Sequence, residues 1–417
     1  MLKQLTLTNW KSFRHAKLPL DPLTVLIGTN ASGKSNAIEA LEFLKRVALG
    51  QDFKTALIGD SMISGVRGGA EWAAYQSEHY FELEVVVQGE NPNIDYLYTL
   101  TVQTKPVVQL SGEGIRRNQY DPLNPQLFQP LINTERQEDS STIDVLVHLE
   151  PYEHWQHSWN RSHSIILTQA AGFYHDIEGL DIVSRAIKNI LVLDPVPNKM
   201  REYSPLSEEI QRDGANISGV LAALSAEEKL KVESALSSYI KHLPEGDIQR
   251  VWAEKVGRFG TDAMLYCEEV WKGDRTTEGS PNPRTLEIDA RGMSDGTLRF
   301  LAILTALLTR PEGSQLVIEE VDNGLHPSRA ELLLKMLREI GEQRKIDLLV
   351  TTHNPALLDA LGPEMVPFVV VAHRDINGDS QLTLLEEIEN LPKLMASGTL
   401  GKLTTKGAIE RSLSHPR

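Results

Sequence analysis

Residues Gly28-Thr29-Asn30-Ala31-Ser32-Gly33-Lys34-Ser35 satisfy every fixed position of G-x-x-x-x-G-K-[ST]. Its glycines let the backbone wrap a polyphosphate with the N–H groups pointing inward. A helix beginning near Lys34 adds the positive end of its dipole. In that geometry Lys34 reaches the β- and γ-phosphates of a nucleoside triphosphate, and the Ser35 hydroxyl ligates Mg²⁺. The competing reading is a plain Gly-rich strand-to-helix turn. A full match with a strand before it and a helix after it is a rare accident at average composition. The pattern therefore predicts ATP binding, and hydrolysis with it.

A second set of residues suits that chemistry. Gln315-Leu316-Val317-Ile318-Glu319-Glu320 is an apolar run ending in two carboxylates. Beside a phosphate-binding loop such a pair divides the work: one holds hydrated Mg²⁺ and the next orients and polarises the attacking water. Successive strand residues face opposite sides, so the two do not share one task. Glu319 is assigned to magnesium and Glu320 to water. Alone, the run would read as a strand end with solvated acids. His353 closes another apolar run, Asp347–Thr352. There it could contact the γ-phosphate and sense hydrolysis; away from the acidic strand, a lone His is an ordinary surface or core residue.

Positioning these groups requires strands and helices in a set order. Leu2–Thr8 alternates apolar and polar residues as a half-buried strand does, and Thr24–Ile27 runs straight into Gly28. Ile38, Leu41, Leu44 and Val47 then recur at helical spacing. Between Phe81 and Leu149 the pattern changes to strands at Phe81–Val87, Tyr96–Val102 and Ile143–Leu149, read as an antiparallel lobe. The polar stretch Asp121–Ser141 reads as a mobile loop. Ser204–Leu243 reads as a largely helical arm, with Ser225 and Glu228 at capping-box spacing ahead of Ala226–Leu243. Strands follow at Ile248–Lys255 and Ala263–Val270, then a Gly/Pro/Ser-bearing linker, Gly273–Pro283. Leu298–Leu308, Gln315–Ile318, Arg329–Gly341 and Asp347–Thr352 alternate helix and strand, the mark of a parallel α/β sheet. Phe368–His373 and Gln381–Leu385 form a hairpin around Asn377-Gly378.

The chain has 417 residues, 41% hydrophobic and 24% charged, as ordinary globular proteins do. A net charge of −15 argues against a broadly basic DNA-binding surface and leaves room for DNA contact in a local basic groove. No apolar stretch is long enough for a bilayer, so a cytoplasmic protein without membrane contact is expected. Cys267 stands alone and cannot form an internal disulfide. The run His154-Trp155-Gln156-His157-Ser158-Trp159, with His163, could bind a metal through imidazoles. Its irregular spacing favours an aromatic patch facing a partner.

Together these pieces resemble the ABC-type ATPases of the SMC, RecF and OLD group. Asn9-Trp10-Lys11-Ser12-Phe13 looks like the N-F-K-S-F opening of SMC proteins, and GTNASGKSN at Gly28–Asn36 is similar to their GxNxSGKSN loop. Met293-Ser294-Asp295-Gly296-Thr297 resembles the ABC signature in its SDGT form. EEVDNGLHP at Glu319–Pro327 looks like DEPENGLHP, and Thr351-Thr352-His353-Asn354-Pro355 like the TTHSP switch. The resemblance implies an α/β P-loop ATPase head with a mainly parallel central sheet, an antiparallel β lobe and a helical insertion. Its implied divisions are residues 1–200, 201–285 and 286–417. It implies that Gly28 to Asn36 bind ATP, with Lys34, Glu320 and His353 catalytic and Ser35 and Glu319 on Mg²⁺. The group's glutamine loop has no direct counterpart; Gln169, after Ile165–Leu167, is the candidate for a further magnesium contact. It also implies a sandwich dimer or higher homo-oligomer, in which Ser294 and Gly296 of one head complete the ATP site of another. Taken alone, Ser294-Asp295-Gly296 would suit a plain helix N-cap.

Two departures stand out: Glu319 occupies the usual aspartate position, and the signature has one glycine where LSGGQ has two. LDPVPNKMR at Leu193–Arg201, DGANISGVL at Asp213–Leu221 and SGTLGKL at Ser397–Leu403 are similar to stretches of standalone bacterial ATPases paired with a Toprim-like protein in defence against phage. Such an effector would act in trans, because the stretch after His353 offers no plausible metal cluster. A transporter subunit would need membrane spans and a much shorter interval between Lys34 and Glu319. A GTPase would need N-K-x-D, which Asn198-Lys199-Met200-Arg201 does not supply. A working ATPase, a low-turnover nucleotide-gated scaffold and a RecF-like repair ATPase stay open.

Overall fold

The computed structural model describes residues 1–60, 64–121, 124–135, 141–148, 156–169, 177, 179–243, 247–271, 284–324, 326 and 329–414. Its fold is mixed α/β around a six-stranded sheet, ordered Ile190–Leu193, Gln315–Ile318, Asp347–Thr351, Leu23–Ile27, Val369–Arg374, Ser380–Leu384. The first five strands pair in parallel and the sixth returns antiparallel, closing the hairpin at Asn377-Gly378. All four residues of Gln315–Ile318 and all five of Leu23–Ile27 are buried. This is why they read as continuous apolar runs rather than alternating ones. Strand alternation still operates within the core. Val25, Ile27, Leu316, Ile318, Leu348 and Val350 face one hydrophobic cluster. Leu26, Val317, Leu349 and Val370 face the other, with Ile38, Leu41 and Leu44 of the helix Lys34–Ala48.

An eight-stranded antiparallel sheet forms the β lobe, beginning at Phe13–Pro19 and Leu2–Trp10 and continuing through Tyr80–Gln88 to Gln156–Asn160. The expectation of a mobile loop over Asp121–Ser141 is corrected. Asn124–Glu135 is a strand, paired with Gln109–Asp121 on one side and Thr142–Val147 on the other. Backbone pairing decides its state here and overrides the turn-forming Pro and Asn content. Residues 122–123 and 136–140, and the linker residues 273–283, lie outside the described set.

The region after Ser204 is less helical than its composition suggests. Ser204–Pro205 joins a third sheet with Ile248–Val256, Asp262–Trp271 and Arg284–Asp289, and the helices are Ile217–Ala223 and Ala226–Ile240. Ser225 caps the second of these, its Oγ accepting from the Glu228 N–H at 3.4 Å. This helix is packed rather than projecting as an arm. Ser237 Oγ accepts the Val251 N–H at 3.0 Å and Glu233 Oε1 the Ala253 N–H at 2.9 Å, which satisfies donors on the edge of strand Ile248–Val256. Cys267 is buried in the third sheet, and burial pushes its thiol up to about 12. Among the described residues no helix is long and apolar enough to cross a membrane, and no group of three or more His, Cys, Asp or Glu could hold a metal ion. Of the His/Trp run, 154–155 lie outside the described residues, and His163 Nδ1 meets Ser162 Oγ at 2.7 Å.

Candidate functional site

The site sits where parallel strands end, which is where open α/β sheets bind ligands. Gly28 follows Leu23–Ile27, Glu319 follows Gln315–Ile318, and His353 lies just past Asp347–Thr351. Parallel register brings these ends level: Leu26 pairs with Thr351, and Val350 with Ile318.

The loop depends on left-handed backbone at three positions, two of them glycines. Gly28, Ala31 and Gly33 have φ of 144°, 64° and 116°. A Cβ on Gly28 would collide with the Ala372 carbonyl, and one on Gly33 would lie 2.6 Å from Ser380 Oγ. The C-terminal hairpin thus buttresses the loop. Ser380 Oγ donates to the Ser32 carbonyl at 2.7 Å, and Arg374 Nε to the Ala31 carbonyl at 3.0 Å. Thr29, Asn30 and Ala31 are exposed at the crest. Lys34 Nζ donates to the Gly28 and Thr29 carbonyls at 2.6 and 3.0 Å. Burial lowers the Lys34 pKa, while the nearby charges of Glu320 and Glu410 raise it. Asn36 faces away from the crest: its Nδ2 donates to Ser12 Oγ at 2.8 Å, and its carbonyl accepts from Trp10 Nε1 at 2.7 Å.

Glu320 stands in the left-handed region at φ 46°, a conformation that is costly for any residue with a Cβ. Its N–H donates to Thr351 Oγ1 at 2.8 Å, and its Oε2 accepts from Asn323 Nδ2 at 3.2 Å. His353 Nδ1 lies 3.9 Å from Glu320 Oε1. Strain held in place by the surrounding structure marks a candidate functional residue. Beside it, Thr352 Oγ1 donates to Asp322 Oδ1 at 2.6 Å, which ties the turn after the acidic pair to the strand that carries His353.

Glu319 occupies a different environment. Burial raises its pKa, Arg212 works against that rise, and Asp194 adds to it. Arg212 Nη2 donates to Glu319 Oε1 at 2.6 Å. A Ser hydroxyl and a half-buried carboxylate are hard oxygen donors and suit Mg²⁺. Nearby, Glu39 accepts from Lys11 and Arg67. Burial raises the Glu39 carboxyl, but these hydrogen bonds outweigh it and leave its pKa below the usual value. Gln169 ends a π-helical turn, Ile165–Gln169, and its side chain lies outside the described residues.

Ser294 caps the helix Asp295–Thr309, with Oγ accepting the Thr297 N–H at 3.1 Å. A Cβ on Gly296 would lie 2.6 Å from the Gly324 carbonyl, so the signature loop packs against the turn that follows Glu320. Among the described residues no hydrogen bond links Ser294 or Gly296 to Gly28–Asn36 of the same chain.

A family model described as "AAA domain, putative AbiEii toxin, Type IV TA system" matches residues 23–359. The chain belongs to this AAA-domain family. No curated protein matches it. Solved structures similar to this AAA-domain chain include an SMC head bound to the C-winged helix domain of ScpA, 14% identical with a TM-score of 0.48, covering 92% of this chain and 96% of that one. The SMC head domain from Thermotoga maritima is 15% identical with a TM-score of 0.42, covering 92% and 98%. An SMC head domain bound to the C-terminal domain of ScpA derived from Pyrococcus furiosus is 12% identical with a TM-score of 0.48, covering 95% and 99%.

Several residues around this AAA site had no individual role assigned from the sequence. Thr351, Asp194, Arg212 and Ser380 are brought in by strand register or by loops far away in the chain. Arg201, within the LDPVPNKMR stretch, donates through Nη2 to the Met293 carbonyl at 2.9 Å and to Asp295 Oδ1 at 2.7 Å. That stretch therefore holds the signature loop.

Proposed function

We propose that the chain is a Mg²⁺-dependent ATPase that dimerises on ATP and controls a separate effector, such as a Toprim-like nuclease, in defence against phage. Glu320 carries the reading. Its backbone is held in the left-handed region, its carboxylate accepts from Asn323 and sits 3.9 Å from His353, and its charge partly offsets the burial that lowers the Lys34 pKa. Lys34 turns from the carbonyls of its own loop to the β- and γ-phosphates, and the N–H groups of Gly28 to Ser35 surround them. Asn36 belongs to the same loop but braces it through Ser12. Glu320 accepts the hydrogen bond of the attacking water, and His353 contacts the γ-phosphate. Ser35 and Glu319 would hold Mg²⁺, with Gln169 as a further contact, and the bound ion would supply positive charge against that developing on the phosphate oxygens. Ser294 and Gly296, at the start of a 15-residue helix, face the γ-phosphate of a second copy. The family description, a putative toxin of a type IV toxin–antitoxin system, supports a chain that works together with a separate partner protein.

Glu320→Gln keeps the hydrogen-bonding shape and removes the base. It should bind ATP and accumulate as a dimer, seen as a doubled mass in sedimentation, with phosphate release reduced at least about a hundredfold. If this variant stays monomeric with ATP while the wild type dimerises, the role of Glu320 is wrong. The ion pair of Arg212 on Glu319 favours a second reading, a low-turnover nucleotide-gated scaffold that holds and releases its effector. Turnover far below about 10 s⁻¹, with or without DNA, would select it. Stimulation by DNA would select a RecF-like repair ATPase.

A further inference from the structure

We infer that Arg212 is a positioning residue for Glu319, taking up the extra length of a glutamate where the acidic strand of this kind of ATPase usually ends in aspartate. This rests on the assignment of Glu319 to magnesium. Glutamate has one more methylene and one more rotatable bond than aspartate, so its carboxylate needs an added restraint to occupy one place. The guanidinium supplies it. Arg212 Nη2 donates to Glu319 Oε1 at 2.6 Å, and Nη1 donates to Glu42 Oε2. Glu42 lies about two turns beyond Ser35 on the helix Lys34–Ala48, on the face that Ser35 begins, and its other oxygen accepts from Arg46. The planar fork therefore spans the helix of the phosphate loop and the end of the acidic strand. A point charge on a flexible stem could not hold both carboxylates in one plane.

The backbone that delivers Arg212 is fixed to the same frame. Its carbonyl accepts from the Asp194 N–H at 2.8 Å, and the Asp213 carbonyl accepts from the Val196 N–H at 2.8 Å. The Asp213 carboxylate pairs with Lys199 at 3.0 Å. Leu193, which precedes Asp194, accepts the Glu319 N–H at 3.1 Å. The stretches Leu193–Arg201 and Asp213–Leu221, read from the sequence only as similar to stretches of standalone bacterial ATPases, are thus joined as a strap across the end of the sheet. Arg212 is its side-chain contact with Glu319, beside the backbone bond from Leu193. The strap also brings Asp194 near Glu319, and Glu39 is the other acid whose charge reaches it. Like charges nearby turn a free glutamate side chain away, and Arg212, with a smaller contribution from Arg67, offsets them.

The test is the Mg²⁺ concentration at half-saturation for binding of a fluorescent ATP analogue to the full chain. Residues that orient metal ligands are worth about 10–100-fold in metal affinity, and the half-exposed Arg212 belongs at the lower end. Arg212→Ala should raise half-saturation about tenfold, leave binding in EDTA unchanged, and be partly rescued by Arg212→Lys. Glu319→Asp withdraws the carboxylate from the guanidinium, so in that background Arg212→Ala should change half-saturation by less than about twofold. If Arg212→Ala is unstable, Arg212→Lys in the two backgrounds gives the same comparison with a smaller difference. Unchanged or lowered half-saturation in Arg212→Ala, or an equal effect in both backgrounds, overturns the inference. Glu319→Ala separates the two levels. If it leaves the Mg²⁺ dependence untouched, the magnesium assignment itself falls; if it raises half-saturation while Arg212→Ala does not, only the role of Arg212 falls.

Discussion

Thr351→Val tests how the protein holds Glu320. Thr351 is 3% exposed, and its Oγ1 accepts the Glu320 N–H at 2.8 Å, while its carbonyl accepts the Val321 N–H at 3.0 Å. Valine keeps the β-branched shape that suits the strand Asp347–Thr351, so packing there should survive. What is lost is one acceptor for a peptide already in the left-handed region. That conformation costs about 1–2 kcal/mol. Leaving the donor unsatisfied adds about 1–3 kcal/mol, toward the low end because the pair is only partly buried. The turn then relaxes and carries the Glu320 carboxylate away from His353. A loss of about 1.4 kcal/mol at the transition state is tenfold in rate. The expected result is a kcat about tenfold lower in a phosphate-release assay. KM for ATP should stay within about twofold, because Lys34 and the loop are untouched. Thr351→Ser retains the hydroxyl and should behave like the wild type. If Thr351→Val hydrolyses ATP normally while its unfolding midpoint drops, the hydroxyl supports only the strand and the reasoning about Glu320 fails.

Two further outcomes can be measured. Arg201→Ala releases Asp295 and the Met293 carbonyl from the side chain that holds the signature loop. In a Glu320→Gln background it should weaken the ATP-dependent dimer about fivefold, roughly 1 kcal/mol, in sedimentation experiments, with nucleotide binding by the monomer unchanged. Asp347 is buried at the amino end of its strand, and burial pushes its carboxyl up to about 7 from 3.8. Between those values the folded chain retains a proton that the unfolded chain has released, so stability falls as pH rises from about 4 to 7 and stays low above that. Asp347→Asn should remove this slope and raise stability at pH 8 by about 2–4 kcal/mol, read from urea midpoints at pH 5 and pH 8. A variant no more stable at pH 8 than the wild type would contradict the assigned cause.

The elements that read most reliably from sequence were those with a single period or a complete motif. Gln315–Ile318 and Asp347–Thr351 were legible as buried runs because both faces of the central sheet are covered. The helix after the phosphate loop was legible because one of its faces packs on that sheet. Asn124–Glu135 was not, because a strand with neighbours on both sides can be held by its ladder whatever its local composition. Ile190–Leu193, at the edge of the central sheet, was equally hidden, because a four-residue apolar run is too short to show a period.

At the candidate site, the loop Gly28–Ser35, the acidic pair and His353 stood out as candidates from residue type and order. A backbone that must wrap phosphates requires glycine, and a strand end requires carboxylates to reach a metal. Which of those side chains meet was decided only by the fold. Parallel register places Thr351 beneath Glu320 and His353 beside it. The strap from Leu193 to Asp213 brings Arg212 to Glu319 across an interval of 107 residues. Such contacts depend on where separate strands end in space, and a linear pattern records spacing along the chain rather than distance across it.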